Sequence, residues 1–139
     1  MKNDIKGALL SVRHDSVAGE IIAEYSFARD LAFFSGHFPG NPVLPGIFQI
    51  EMARYALEAT NRKKYNISLI SKAKFINMIL PDSRITVKIK VADIDSGIKI
   101  RAKSYVDQTQ ASDVIMVINP VDQDPDHREV SIEPTGRVS

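Results

Sequence analysis

Residues 85–106, ITVKIKVADIDSGIKIRAKSYV, set two runs of period-two alternation on either side of Asp95-Ser96-Gly97. In the first run Ile85, Val87, Ile89 and Val91 share one face while Lys88 and Lys90 share the other; in the second, Lys99, Arg101 and Lys103 alternate with apolar or small residues. Successive side chains of a strand point to opposite faces, so each run has one face that must be covered and one that water can keep. The Asp-Ser-Gly turn joins the two as a hairpin. Cover has to come from a helix, and one segment, GIFQIEMARYALEATNR at about 45–61, carries apolar residues at helical spacing (Ile47, Ile50, Ala53, Leu57) with no β-branched cluster.

The remaining apolar runs read as strands. Two early ones span about 8–14 and 18–27 around a turn at Asp15–Gly19; ISLISKAKFINMIL fills about 67–80, ending in the Pro81-Asp82-Ser83 turn. The last, about 112–118, contains VIMVI, apolar on both faces, which predicts a central strand or one covered by a partner. Six antiparallel strands and one long helix make an α+β domain over residues 1–118. A sheet of that size has more surface than one helix can bury, and dimerisation is the natural solution.

The chain has 139 residues with 44% hydrophobic and 25% charged side chains, the composition of one globular domain. With no cysteine there are no disulfides or thiolate metal sites. MKNDIKGALLSVRHD lacks the form of a signal peptide, and no apolar run approaches the ~18 residues of a membrane span. A cytoplasmic protein is expected, with no membrane partner.

Residues 119–139 hold Asp122, Asp124, Asp126, Glu129 and Glu133 against Arg128 and Arg137, and their composition predicts an acidic tail without fixed order. Taking these from the 18 basic and 17 acidic side chains of the whole chain leaves 16 and 12, a net of +4 for 1–118. That bias favours an acidic partner and is too weak to argue for nucleic acid. Asp122, Asp124, Asp126 and Glu133 match four positions of a calcium loop, but His127 stands where glycine is needed, Pro125 lies within, and no helices flank it. No metal or other cofactor is expected.

The chemistry gathers in GHFPGNPVLPGIFQIE, residues 36–51. With Pro45 as the first helical residue, Leu44 would be the N-cap, and leucine cannot cap. The N–H groups of Gly46 and Ile47 are then unsatisfied donors at the positive end of a helix dipole, a site suited to a negatively polarised oxygen. Glu51, six residues beyond Pro45 and about 9 Å along the axis, stands among Ile50, Met52 and Ala53, where desolvation would help it keep a proton. His37 lies on a loop stiffened by Pro39, Pro42 and Pro45 and is a neutral base at ordinary pH. A base, a carboxylic acid and an oxyanion site are the set needed to eliminate water from a β-hydroxyacyl thioester. Phe33, Phe34, Phe38 and Phe48 lie near enough to wall an acyl pocket. Each piece has an ordinary reading too: a turn histidine, a Glu51–Arg54 i, i+3 pair, core phenylalanines. His14 and His127 belong to no constellation and read as surface residues. Three roles falling within sixteen residues favour the chemical reading.

The same stretch resembles the signature of the β-hydroxyacyl-(acyl-carrier-protein) dehydratases of bacterial fatty acid synthesis, GHFPG-x-P-x-x-PG followed by an apolar turn and a glutamate. AKFINMILPDSRITVKIKV is similar to that family's A-(R/K)-F strand, turn and following strand. The resemblance covers about 8–118 and implies a hot dog fold, a long helix wrapped by an antiparallel sheet, with two subunits pairing edge to edge. It implies that His37 and Glu51, from opposite subunits, are catalytic, that the Gly46 N–H holds the thioester oxygen, and that the Val43 carbonyl orients the histidine. Glutamate resembles the general dehydratase branch; the branch that also isomerises the double bond carries aspartate. Where the family commonly reads Ala-x-Ala-Gln after the glutamate, this chain has Met52-Ala53-Arg54-Tyr55, and its turn is Pro81-Asp82-Ser83 in place of Pro-Gly-Asp.

Acyl carrier proteins are acidic, and among the basic residues Arg62, Lys63 and Lys64 are the strongest docking candidates, ahead of Arg54, Lys72, Lys74, Arg101 and Lys103. Two other readings stay open. One is a hot dog thioesterase in which Glu51 activates water, against which the HFPG loop speaks. The other is an inactive acyl-binding or heterodimer partner, for which the residues after Glu51 are the hint.

Overall fold

The computed structural model describes residues 1–35, 40 and 42–122; His37, Phe38 and the tail from 123 lie outside the described residues. The elements run α1 (Lys2–Ala8), β1 (Leu9–Asp15), β2 (Glu20–Tyr25), α2 (Ala32–Ser35), α3 (Gly46–Asn61), β3 (Tyr65–Phe75), β4 (Ile85–Ile94), β5 (Gly97–Val106) and β6 (Thr109–Pro120). The six strands form one sheet in the order β1-β2-β4-β5-β6-β3, every neighbouring pair antiparallel. Laid flat, six strands at about 4.8 Å spacing span ~24 Å, roughly twice the width of a helix. Yet α3 touches both edge strands, β1 and β3, so the sheet has to curl around it. This is the hot dog architecture. Among the described residues no helix is long and apolar enough to cross a membrane.

The alternation in β4 and β5 works as it reads. Ile85, Val87 and Ile89 are buried against the helix with Ile100 and Ala102 opposite, and Lys88 and Lys90 face water. Val91 departs from the pattern: it is 42% exposed and borders a cavity of about 400 Å³ together with Leu57, Thr60 and Asn61 at the end of α3. On α3, Met52, Ala53, Ala56 and Leu57 are wholly buried. The Tyr25 hydroxyl of β2 donates to the Met52 carbonyl at 2.7 Å. Burial, with Tyr55 nearby, pushes the Tyr25 phenol well above its ordinary range, so it remains a donor.

Several boundaries differ from the sequence reading. Helix α1 carries only two buried residues, Ile5 and Ala8, in seven, too few for a helical period to show; it packs on α3. The run expected to continue to residue 80 leaves the sheet after Phe75, where the N–H groups of Ile76 and Asn77 both donate to Ala111 O at 2.7 and 3.2 Å. β6 is longer than expected at both ends. Its last residue, Pro120, lies opposite Tyr65, so residues 119 and 120 belong to the sheet and not to the tail. The β5–β6 connection is a two-residue hairpin, Asp107-Gln108, with φ of 49° and 68°. Neither residue is glycine, which is why the sequence carries no hairpin signal there.

An ion cluster on the outer face ties β3, β6 and β5 together. Asp113 accepts from Arg101 Nε at 3.1 Å and Nη2 at 2.9 Å, and from Lys72 Nζ at 3.0 Å. These bonds, Arg101's first, hold the Asp113 carboxyl well below the usual carboxylate range against the opposing effect of its burial. A carboxyl with a lowered folded-state value contributes stability above its unfolded value of about 3.9 and loses it as pH falls further. Asp113→Asn is therefore expected to lower the melting temperature at neutral pH and to flatten its decline between about pH 4 and pH 2, measured by thermal unfolding across that range.

Candidate active site

The start of α3 is the centre of the site, and local chemistry leaves it uncapped. Pro45 is the N-cap, at φ −64° and ψ 150°, and among the described residues no side chain caps the helix. This moves the start one residue along from the sequence reading: Pro45 is extended, so Gly46 and not Pro45 is the first helical residue. Phe48 N–H reaches back to Pro45 O at 3.1 Å, while the N–H groups of Gly46 and Ile47 have no acceptor among the described residues. Leu44, 4% exposed, fixes the approach by donating its N–H to Ile79 O at 2.8 Å.

Gly46 lines a cavity of about 220 Å³ together with Val43, Leu44, Gln49, Phe75 and Met78, among others. A Cβ at Gly46 would lie 2.8 Å from the Phe75 ring. Glycine here lets the half-exposed Phe75 ring approach the helix start, and any side chain at this position would have to displace that ring. Val43 lines the cavity; the histidine its carbonyl was expected to orient, His37, lies outside the described residues. Ile47 is half exposed at the helix start.

The phenylalanines are placed differently from the expectation. Phe48 stacks on Phe33 at 4.2 Å between ring centroids, Phe33 on Phe34 at 4.4 Å, and Phe27 closes the cluster at 6.0 Å from Phe48 and 6.1 Å from Phe33. Phe34 and Phe48 are buried. None of these rings lines the cavity at the helix start, whose aromatic wall is Phe75. The aromatic cluster belongs to the core, and Phe38 lies outside the described residues.

Glu51 is not the isolated carboxylate expected. Both its oxygens are held by Arg54, one turn on, through Nη2 to Oε1 and through Nε to Oε2 at 3.2 Å. The same guanidinium donates from Nη1 to Glu58 Oε2 at 3.2 Å and to Tyr65 O at 2.8 Å, and Glu58 Oε2 also accepts the Tyr65 N–H at 2.8 Å. The hydrogen bond to Glu51 raises the guanidinium's pKa further, against the opposing effect of burial. The i, i+3 partner was legible in the sequence. The i, i+4 carboxylate and the link to β3 were not, because the latter depends on where β3 begins.

At the far end of α3, Arg62, Lys63 and Lys64 border a cleft of about 310 Å³ together with Lys2 and Lys6 of α1 and Tyr55. The two lysines from α1 join the expected trio only because α1 is a helix packed on α3. Among the described residues no cluster of side chains suited to a metal ion is present.

Comparison with known proteins decides the family. The model of a family described as ApeI-like, ApeI dehydratase, matches residues 13–113, well over half of the chain. The chain belongs to the ApeI-like dehydratase family. The ApeI-like chain is 34% identical over 99 residues to the 3-hydroxyacyl-[acyl-carrier-protein] dehydratase FabZ of Alkaliphilus metalliredigens, covering 63% of this chain and 67% of that one. It is 33% identical over 91 residues to the FabZ of Geotalea uraniireducens, covering 58% and 63%. The matched region thus spans about two thirds of the length of these relatives. A solved structure titled the dehydratase heterocomplex ApeI:P from Xenorhabdus doucetiae superposes with a TM-score of 0.66 at 22% identity, over 80% of this chain and 96% of that one, a likeness of fold.

Removing the guanidinium leaves the buried Glu58 with the Tyr65 N–H as its remaining partner among the described residues. Arg54→Ala is expected to cost about 2–3 kcal/mol in urea unfolding, and Arg54→Ala/Glu58→Gln to recover part of that loss.

Proposed function

We propose that this chain is a cytoplasmic dehydratase that removes water from a 3-hydroxyacyl thioester borne by an acyl carrier protein, giving the trans-2-enoyl thioester. The observation that carries the reading is the uncapped start of α3 beside a largely apolar cavity, in a member of the ApeI-like dehydratase family. The thioester oxygen accepts the Gly46 N–H, with the Ile47 N–H and the helix dipole adding positive potential as the enolate develops. His37 takes the proton from C2, with Val43 O holding the ring. The C2 electrons form the C2=C3 bond as the C3–O bond breaks, and the departing hydroxide takes a proton from Glu51 and leaves as water. A carboxylate held by a guanidinium accepts on both oxygens, so the fork with Arg54 has to open before Glu51 can carry that proton.

Assembly fits the same reading. The outer edge of β3 and the segment after it expose Leu69, Ile70, Phe75, Ile76, Met78 and Leu80. An apolar, unpaired strand edge of this kind is blunted by pairing with a second chain. Such pairing would cover the cavity that Phe75 and Met78 wall and bring one subunit's Glu51 towards the other's His37. The cleft of Lys2, Lys6, Arg62, Lys63 and Lys64 offers an acidic carrier a complementary surface.

A second reading is favoured by the Arg54 fork: the chain as the non-catalytic member of a mixed dimer, its carboxylate locked. The two separate in one assay over a panel of 3-hydroxyacyl chain lengths. For the first reading, the purified chain alone forms enoyl thioester, and His37→Ala and Glu51→Gln each lower the rate by about 10²–10⁴-fold. Full turnover in either variant would remove the assigned roles. No product at any chain length, together with retained carrier binding, would establish the second.

A further inference from the structure

Two buried side-chain atoms have no hydrogen-bond partner among the described residues, Gln49 Oε1 and Ser112 Oγ. Gln49 is 4% exposed and lines the cavity at the start of α3. Ser112 lies directly opposite Phe75 across the β3–β6 pair, and the Phe75 ring in turn abuts Gly46. Both unsatisfied atoms therefore fall at the same end of α3 as the unsatisfied N–H groups. A buried amide oxygen without a donor costs free energy, and native interiors contain few of them. Packing does not call for an amide here: Val43, Leu44 and Met78 beside it are apolar, the one other amide lining the cavity, Asn77, donates instead to Gln110 O at 2.8 Å, and leucine would fill a similar volume with higher helix propensity.

We propose that Gln49 is a substrate-reading residue whose Oε1 accepts the hydrogen bond of the substrate's 3-hydroxyl group while the Gly46 N–H holds the thioester oxygen. Gly46 and Gln49 are i, i+3 neighbours on one face of α3, about 5–6 Å apart at the Cβ positions. In a 3-hydroxyacyl thioester the carbonyl and the hydroxyl-bearing carbon are separated by one methylene, so a single ligand can reach both. The ligand offers one acceptor and one donor, and the helix start offers their complements. As C3–O breaks and its oxygen gains a proton, the O–H groups of the departing water become better donors than the alcohol was. The bond to Gln49 then strengthens along the reaction. This assignment rests on the dehydratase reading for the identity of its ligand.

The test measures binding of 3-hydroxyacyl and saturated acyl pantetheine thioesters of equal length to the full chain in a His37→Ala background, where elimination is blocked. With Gln49 present, the hydroxylated ligand is expected to bind about tenfold or more tightly than the saturated one. Gln49→Leu should erase that preference, leave affinity for the saturated ligand unchanged, and keep or raise the melting temperature because the unsatisfied amide is gone. An undiminished preference in Gln49→Leu would overturn the proposal. So would equal loss of affinity for both ligands, or a lowered melting temperature showing that the amide has a partner within the assembly. The dehydratase reading fails separately: a Gln49-dependent preference with no enoyl product from the unsubstituted chain sinks that reading alone, and enoyl formation without the preference sinks this one alone.

Discussion

The burial of α3 inside a single sheet sets almost every other feature of the molecule. Six strands curl round α3, whose Met52, Ala53, Ala56 and Leu57 are buried and which touches both edge strands, β1 and β3. The Tyr25 hydroxyl bonded to Met52 O fixes the helix along its axis, and the Leu44 N–H bonded to Ile79 O fixes the chain that enters it. A helix held in this way cannot slide to find a cap. Its first residue, Gly46, stays where the sheet places it, beside the Phe75 ring and on the wall of a cavity. The position of a polar site is here a consequence of apolar packing.

The charged groups follow the same logic with a different result. Arg54 leaves the half-buried flank of α3, where a lone guanidinium would be costly, and is satisfied by two carboxylates on its own helix and by the first carbonyl of β3. That hub joins the end of α3 to the strand that follows it and restrains Glu51 as well. Asp113 does comparable work on the outer face, joining three strands. In both clusters, one residue's chemistry is set by strands distant in sequence.

What could be read from residues alone was what depends on short range. Alternation in 85–106 defined the central hairpin, helical spacing defined α3 to within a residue, and the missing cap before Gly46 pointed to the helix start. Non-local contacts were not readable in this way. Phe75, Ile76 and Met78 wall the cavity because β3 ends early and turns, and nothing in ISLISKAKFINMIL marks that point. Phe33 and Phe48 pack on Phe27, and Phe34 on Phe33, a ring cluster at the core that spacing alone does not foretell. Lys2 and Lys6 joined the basic cleft only through α1, whose two buried residues give no period. Gln49 did leave a trace, a glutamine inside the stripe of buried positions of α3, and its meaning emerged only with its burial and its unpaired oxygen.

The claim on which this account stands is that the vacant start of α3 receives the thioester oxygen. The carbonyl stretching frequency of a saturated acyl pantetheine thioester, labelled at the carbonyl carbon and bound to the full chain, measures this directly. Hydrogen bonds from Gly46 and Ile47 at the positive end of a helix should move the band clearly below its frequency in water. A band at or above the aqueous frequency in the bound ligand would contradict the account, because the carbonyl would then lie away from the helix start.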